Sequence, residues 1–422
     1  MPDYLIFLCM VGLFALLAML FKIPIGISLA LSAVAGSILG GHGIALRHLI
    51  EGSFGYFDTI LIIFCAMIFM KVLEASGILD SITSSLLTTF HQHKIGLLLT
   101  LMFLLMFPGM ITGSSTAAVL STGALVAPVL MRLGMSRVRA AALIAMGAIL
   151  GMIAPPVNIL VMIMGAGVDM PYVGLTLPLL ILTIPLAVLF SLFLGYRHIH
   201  TVGVEELRSI LPSSPLRKRG IRTIVPPLLV FGWLLGQAAF PHVIPDIGIP
   251  AVFLLGSLSG LVCGRKFNTF KVTQDAVRES MPILAILAGV GMFIQIMTLT
   301  GGRGWTVMSF LSLPPALLYL GIAVSMPLFG AVSAYGSASI LGVPFILALI
   351  SKNAVFTSSA LSAVASLGDL MPPTALAGMF AAQVVHEPNY FKVLKLCLLP
   401  ALFLLMAGIG MLLLAGPLDK II

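Results

Sequence analysis

The sequence is poor in charge. Only 9% of its 422 residues are Asp, Glu, Lys or Arg, against about 25% in soluble domains. That is too little to clothe a soluble surface of this size, which excludes a soluble enzyme, a nucleic-acid binder and a disordered chain. Cysteine is scarce as well. Cys9, Cys65, Cys263 and Cys397 stand singly in apolar stretches with no CxxC or His/Cys ligand spacing, and they read as small packing residues. No GxxxxGK[ST] occurs, so energy for uphill work must come from an ion gradient or from another chain. The N-terminus lacks a basic n-region and a small-residue cleavage site, so residues 4–21 read as a retained helix rather than a removed signal.

What is abundant is apolar surface. Hydrophobic residues make up 60% of the chain, beyond the roughly 45–50% of soluble proteins. At about 20 apolar residues per crossing, the roughly 250 available furnish at most about a dozen spans. The fold class is an all-α polytopic membrane protein. Runs at 4–21, 24–41, 58–75, 173–196, 223–240, 249–264, 281–300 and 393–416 read as plain spans. The net charge of +8 then records topology, because basic residues are held on the cytoplasmic side.

Two regions do not behave as plain spans. The first, 95–168, contains GMITGSSTAAVLSTGALVAPVLM, a basic loop, and AALIAMGAILGMIAPPVNILVMIMGAG. The second, 314–386, contains SMPLFGAVSAYGSASILGVPFILALI, a polar loop at 351–353, and LSAVASLGDLMPPTALAGMFAAQVV. GMIAPP at 151–156 and GDLMPP at 368–373 share a Gly-x-x-x-Pro-Pro spacing at an offset of 217 residues. The same offset carries Gly113 onto Gly330, and a proline follows each, Pro128 and Pro344. Matching breaks with matching upstream architecture indicate internal duplication. The second tip also permits an alignment on Gly336.

The polar segment 197–222 divides the halves. It carries Arg197, Arg208, Arg217, Lys218, Arg219 and Arg222 with Pro212 and Pro215, and it is assigned to the cytoplasm. Working outward from it leaves Arg47, Arg303, Lys352 and Lys420 outside and the other 18 of 22 Lys/Arg inside. Both termini then fall outside. Residues 95–131 become a hairpin that enters and leaves on the cytoplasmic face, and 314–351 one that does so on the outer face. The halves are inverted.

Backbone polar groups cannot sit unpaired against lipid. A hairpin tip at membrane depth, or a helix unwound at Pro155–Pro156, survives only where protein or a water-filled cavity supplies partners. Gly113, Ser114, Ser115 and Thr116 permit a tight tip and offer hydroxyls. Helix N-termini favour anions, whereas unwound carbonyls suit a hard cation such as Na⁺. Blander readings stand beside these. The small residues could serve only close helix packing, the double prolines could be kinks, and Asn158 could cap the following half-helix. Asp369 is the only carboxylate inside either broken helix; such a residue is costly and by default functional, unless it merely lines a wet vestibule. Lys71 and Glu74 are read as a pair near the end of the third span. The stretch 80–93 is read as an interfacial arm before the first hairpin, with Asp275 and Glu279 marking its partner in the second half.

The stretch at 109–159, GMITGSSTAAVLSTGALVAPVLMRLGMSRVRAAALIAMGAILGMIAPPVNI, resembles the large membrane subunit of TRAP (tripartite ATP-independent periplasmic) transporters. KIPIGISLALS at 22–32 and IFMKVLEASGILD at 68–80 are similar to that family's early helices. The resemblance implies an inverted-repeat elevator-type transporter with two re-entrant helical hairpins and two broken helices. It further implies Na⁺-coupled import of a small organic anion such as a C4-dicarboxylate or sialic acid across the bacterial inner membrane. The implied partners are a small four-helix membrane subunit and a periplasmic solute-binding protein, with no covalent cofactor. Family cation sites lie between each hairpin tip and the facing break. Carried over, the first takes Ser114, Ser115, Gly151, Pro155 and Asn158, and the second Gly330, Ser333, Gly368, Pro372 and Thr374. Solute would sit near Thr116, Asn158, Ser337 and Thr374. Val157–Asn158 after the first double proline, the unusual second tip and Asp369 depart from the family pattern. Asp369 is a candidate coupling carboxylate, and H⁺ an alternative to Na⁺.

The expected organisation is ten full spans and two hairpins. Residues 95–168 and 314–386 form the transport domain, and 1–94, 169–313 and 387–422 form the scaffold. A stand-alone divalent-anion symporter is the alternative transporter. An intramembrane serine protease using the Gly-x-Ser pattern at 113–115 would need a His base, yet all eight histidines map to loops or span ends.

Overall fold

The computed structural model describes residues 1–201, 203, 205, 207 and 222–418. Arg208, Arg217, Lys218, Arg219, Pro212 and Pro215 of the basic linker lie outside the described residues, as does Lys420. Among the described residues every regular element is helical. Six helices are long and apolar enough to cross a membrane, seven if the bent pair Leu46–Phe54 and Phe57–Ala75 is one span. Other expected crossings are shorter apolar helices, Ile25–Leu39 and Ile249–Cys263 among them.

One body is held together by glycine. A Cβ on Gly26 or Gly289 would overlap the backbone of the opposite helix, so Ile25–Leu39 and Thr269–Leu299 cross main chain to main chain. Gly52 and Gly291 do the same for Leu46–Phe54. Small residues at crossings are how helices associate where lipid removes the hydrophobic drive between them. Phe57–Ala75, Ile249–Cys263 and Val225–Ala239 pack onto this frame in turn.

Each half then repeats one sequence of elements. Phe57–Ala75 ends, Gly77 turns in the left-handed region (φ 73°), and the arm helix Ile78–Phe90 leads to the first hairpin. In the second half Thr269–Leu299 runs unbroken for 31 residues, Gly301 turns (φ 76°), and Gly302–Leu311 leads to the second hairpin. This corrects the expected second arm. Asp275 and Glu279 lie inside the long helix, which accommodates Pro282 and ends only at the left-handed glycine.

The first hairpin descends through Lys94–Thr112, turns at Gly113 and Ser114, and returns through Ser115–Arg132. Gly113 adopts φ 62°, and Ser114 Oγ accepts from Ala117 N at 3.3 Å to start the returning limb. A π-helical segment, Val119–Gly123, lies back beside the descending limb. The second hairpin repeats this with Pro315–Gly330, a Ser333 cap accepting from Gly336 N at 3.1 Å, and a π segment at Ala338–Gly342. Within the hairpins the repeat is Pro108 with Pro327, Ser114 with Ser333 and Gly123 with Gly342, each 219 residues apart. The offset of 217 holds at the breaks, from Gly151–Pro156 to Gly368–Pro373. Neither Gly330 nor Gly336 is therefore the counterpart of Gly113; Val332 is, and the second turn uses no left-handed residue.

The broken helices cross antiparallel. Arg137–Ile153 stops before Pro155 and Pro156, which offer no N–H, and resumes as Ile159–Ala166. Ala354–Leu370 stops before Pro372 and Pro373 and resumes as Leu376–Val384. The second part of each packs against the first part of the other, which is the arrangement that two inverted halves produce. Both double prolines contain a cis peptide bond.

Two further helices pack differently from the scaffold grouping expected for them. Tyr390–Leu418 lies along Ala354–Ser366 and Arg137–Ile153. There the Tyr390 hydroxyl donates to Leu370 O, and Gly408 faces Val364 and the Ala360 carbonyl. Thr176–Gly195 lies along Arg137–Ile153 and Lys94–Thr112, with Gly195 against Leu98. Both therefore pack on the hairpin-and-break body.

Crowding at the scaffold crossing sets a test. Gly291→Ala forces a Cβ onto the Gly52 carbonyl and should cost about 1–3 kcal/mol, read as a lowered unfolding temperature of the purified protein. Gly12→Ala, with nothing within 4 Å of the added carbon, should leave that temperature unchanged or slightly raised.

Candidate functional site

The hairpin tips and breaks meet in the middle of the second body. Gly109 and Gly151 bring the first hairpin against the first broken helix, where a Cβ on Gly109 would lie 2.8 Å from the Gly151 carbonyl carbon. Gly330 and Gly368 do the same in the second half, where the added carbon would lie 2.8 Å from Gly368 Cα. This closeness lets the tips satisfy the unwound main chain. Val157 N donates to Met110 O at 3.2 Å, and Thr374 N donates to Ala331 O at 3.4 Å. Thr374 Oγ1 adds a second bond to Ala331 O at 2.8 Å.

The first tip also reaches across the pseudo-symmetry. Ser115 Oγ donates to Asp369 Oδ2 on the second broken helix. Tyr335, on the second tip, donates its hydroxyl to Gly113 O at 3.3 Å. Asp369 is 5% exposed. These groups form one wall of a cavity of about 820 Å³. The opposite wall is scaffold, from Phe57–Ala75 and Thr269–Leu299, and carries Lys71, Glu74 and Glu279. Lys71 Nζ holds Glu74 at 2.8 Å, as its spacing in the sequence suggests, and Glu279 at 2.7 Å. A void between scaffold helices and the hairpin tips, lined by buried polar groups, is the candidate site of this chain.

The family model described as "Tripartite ATP-independent periplasmic transporter, DctM component" matches residues 10–416. The chain belongs to the DctM family. It is thus the membrane component of a secondary transporter. Two solved structures share the fold. The crystal structure of the Alcanivorax borkumensis YdaH transporter superposes with a TM-score of 0.59 at 18% identity, covering 87% of each chain. Neisseria gonorrhoeae MtrF, described with a class of antimetabolite efflux pumps, gives 0.58 at 15% identity over 87% of this chain and 83% of that one. No curated relative matches.

In this DctM-family chain the sequence-derived residues fall into three groups. Ser114, Ser115, Thr116 and Asp369 line the cavity together. Gly330, Ser333, Gly368, Pro372 and Thr374 gather at the second tip and break, where Ser333 is committed to its cap and Thr374 to Ala331 O. Gly151, Pro155 and Asn158 gather at the first break, buried and away from the cavity lining. Asn158 is fully employed. Its Oδ1 accepts from Val161 N at 3.1 Å, and its Nδ2 donates to Ile153 O and Ser362 Oγ, both at 3.0 Å. Capping therefore describes Asn158, together with a tie to the other broken helix.

The four expected solute contacts are not brought to one place. Thr116 faces the cavity, while Ser337 is buried with its hydroxyl on Met326 O at 2.8 Å. Asn158 and Thr374 spend their polar atoms on the breaks. Sequence reasoning missed Tyr172, whose hydroxyl accepts from Asn158 N at 2.9 Å and donates to Pro156 O at 3.1 Å. It also missed Tyr335 and Glu279. The tyrosines carried one signal, since the chain has only seven and a buried phenol needs a partner. No spacing rule linked Glu279 to Lys71.

Two substitutions test these contacts. Asn158→Ala leaves the Ile153 carbonyl and a half-helix N-terminus unpaired and should destabilise the protein by about 2 kcal/mol, read as a lowered unfolding temperature. Tyr335→Phe removes only the bond between tips and should cost about 1 kcal/mol. It should also speed amide hydrogen exchange at 113–118 without changing it at 157–166.

Proposed function

We propose that this chain imports a small organic acid by a cation-coupled elevator mechanism, with Na⁺ as the coupling ion. The observation that carries the reading is the pairing of each hairpin tip with a break, beside a cavity shared by two separately packed bodies. A carbonyl at a break or tip is an oxygen ligand positioned by the fold rather than by a flexible side chain, which suits a weakly held hard cation. The first cation locus takes Ser114 and Ser115 with the main chain around Gly151, Pro155 and Asn158. The second takes Gly330, Ser333, Gly368, Pro372 and Thr374.

In this mechanism a cation pins each tip to its break, which orders the Ser114–Thr116 wall and completes the solute site. The loaded body then slides against the scaffold. Helices Thr176–Gly195 and Tyr390–Leu418 travel with it, because they pack along the broken helices. Sliding must release contacts that bridge the bodies. The Tyr56 hydroxyl donates to Ile163 O at 3.1 Å, Arg303 donates to Gly167 O at 2.7 Å, and Phe14 stacks on Phe329. Each is a single hydrogen bond or ring contact, worth about 1 kcal/mol for the phenol and the rings and about 1.5–3 kcal/mol for the charged Arg303, small enough to break repeatedly. Solute delivery by a periplasmic binding protein, a small four-helix partner subunit, and an inner-membrane setting with both termini periplasmic complete the proposal. A hydrolytic role gains no support from Ser115, whose hydroxyl is spent on Asp369 with no histidine among the cavity-lining residues.

Uptake by proteoliposomes carrying the chain with its partner subunit and binding protein tests this reading. Accumulation should require an inward Na⁺ gradient, and Thr374→Val should raise the Na⁺ concentration for half-maximal uptake by about tenfold, the effect of losing roughly 1.4 kcal/mol. Uptake indifferent to both Na⁺ and pH gradients would defeat it.

A further inference from the structure

The cavity wall has the wrong charge for a solute that is only an anion. Among the described residues one cation, Lys71, lines it, and that side chain is 18% exposed and already holds Glu74 and Glu279. Against it stand four carboxylates: Glu74, Asp80, Glu279 and Asp369. Arg265 lies near enough to Asp80 to offset its charge, and the wall remains acidic. Among the described lining residues a dianion entering this space meets no free positive side chain.

Asp369 sharpens the point. It is 95% buried by its 5% exposure and lines the cavity floor. Ser115 Oγ donates to Oδ2, and among the described residues none donates to Oδ1. A buried carboxylate with one idle oxygen is costly unless a positive charge or a proton donor meets it. The idle oxygen faces a space of about 820 Å³, room for an organic molecule rather than for a lone ion. The repeat gives no structural reason for the carboxylate, because its counterpart 217 positions earlier is Met152, packed in the apolar interior.

We propose that the solute carries an ammonium group, and that Asp369, seated by Ser115, is the residue that receives it. The solute is then an amino acid or a related zwitterion. Its positive end lies at Asp369, and its carboxylate lies toward the hydroxyls of Ser114 and Thr116. This rests on the transport reading only in taking the cavity as the solute's place.

Charged thiol reagents test it without needing the solute or the partner chains. In the purified chain with Cys263→Ser throughout and Cys9→Ser in the test variant, Thr116→Cys supplies a thiol on the cavity wall one residue from Ser115. Its rates with a trimethylammonium-ethyl and a sulfonato-ethyl methanethiosulfonate are compared, each normalised to the rate at native Cys9 in the parent. The cationic reagent should be favoured about tenfold, the lower end of what charged clefts achieve by focusing. Asp369→Asn should remove most of that preference, and Asp369→Glu should keep it. Equal rates, or a preference that survives Asp369→Asn, would overturn the proposal. So would a preference seen in K⁺ that vanishes in Na⁺, because the carboxylate would then belong to the inorganic ion. Because the assay involves no transport, failed uptake in proteoliposomes with the preference intact would count against the transport mechanism and not against the cation-receiving site.

Discussion

The structure depends on one constraint: main chain unwound inside a membrane must find partners within the protein. Pro155–Pro156 and Pro372–Pro373 each interrupt a helix and expose amides and carbonyls where water is scarce. The hairpins are the answer. Each sends a tip to the level of one break, and a glycine at each contact, Gly151 in one half and Gly368 in the other, admits the approach. Val157 N and Thr374 N then bond to tip carbonyls at 3.2 and 3.4 Å. Remove the glycines and the tips stand off, leaving the breaks without partners. The same proximity brings main-chain carbonyls and hydroxyls of tip and break together, as Thr374 N and its hydroxyl on Ala331 O show.

Inversion turns that local solution into a pair. Because the broken helices cross antiparallel, the two breaks and the two tips converge on one region, and the tips can touch. Convergence also permits asymmetry. Ser115 corresponds to Ala334 and Thr116 to Tyr335 at the hairpin offset, while Asp369 corresponds to Met152. The duplicated frame is thus used once for a hydroxyl–carboxylate pair and once for a phenol that closes the tip-to-tip contact. The two halves therefore present different polar groups to the cavity, hydroxyls and a phenol from the tips and a carboxylate from one break only. The second body extends further than its hairpins and breaks. Thr176–Gly195 and Tyr390–Leu418 follow the broken helices and pack on them, so a boundary placed at the polar segments after each break misses the unit that packs together.

Much of the frame was legible in the residues. The double prolines located both breaks, because proline has no N–H wherever it stands. Gly113 and Ser114 were read as residues that permit a tight tip, and the chain turns there; that the Ser114 hydroxyl starts the returning limb by accepting from Ala117 N came from the structure. Lys71 and Glu74, three apart on one helix, pair as expected. Other readings failed for identifiable reasons. Gly113 was aligned to Gly330 by carrying the 217 offset from the breaks into the hairpins, where two residues fewer separate the second tip from its break. The second arm was placed at Asp275 and Glu279 because charge suggested an interface, yet helix ends are set by backbone, and the left-handed Gly301 sets this one. Asn158 offered equal grounds for capping and for ligation, and only the positions of Val161 N, Ile153 O and Ser362 Oγ decided for capping.

The sequence by itself determined that this is a membrane chain of helices, duplicated, broken at two double prolines and turned back at two tips. Those properties are local or periodic: apolar run length, missing N–H groups, small residues at turns. Tertiary structure alone decided which groups face one another. Ser115 and Asp369 are 254 positions apart, and Lys71 and Glu279 come from opposite halves. No spacing along a chain encodes a contact made by folding two inverted copies together, so the set of charged groups around the cavity emerged only when the helices were packed.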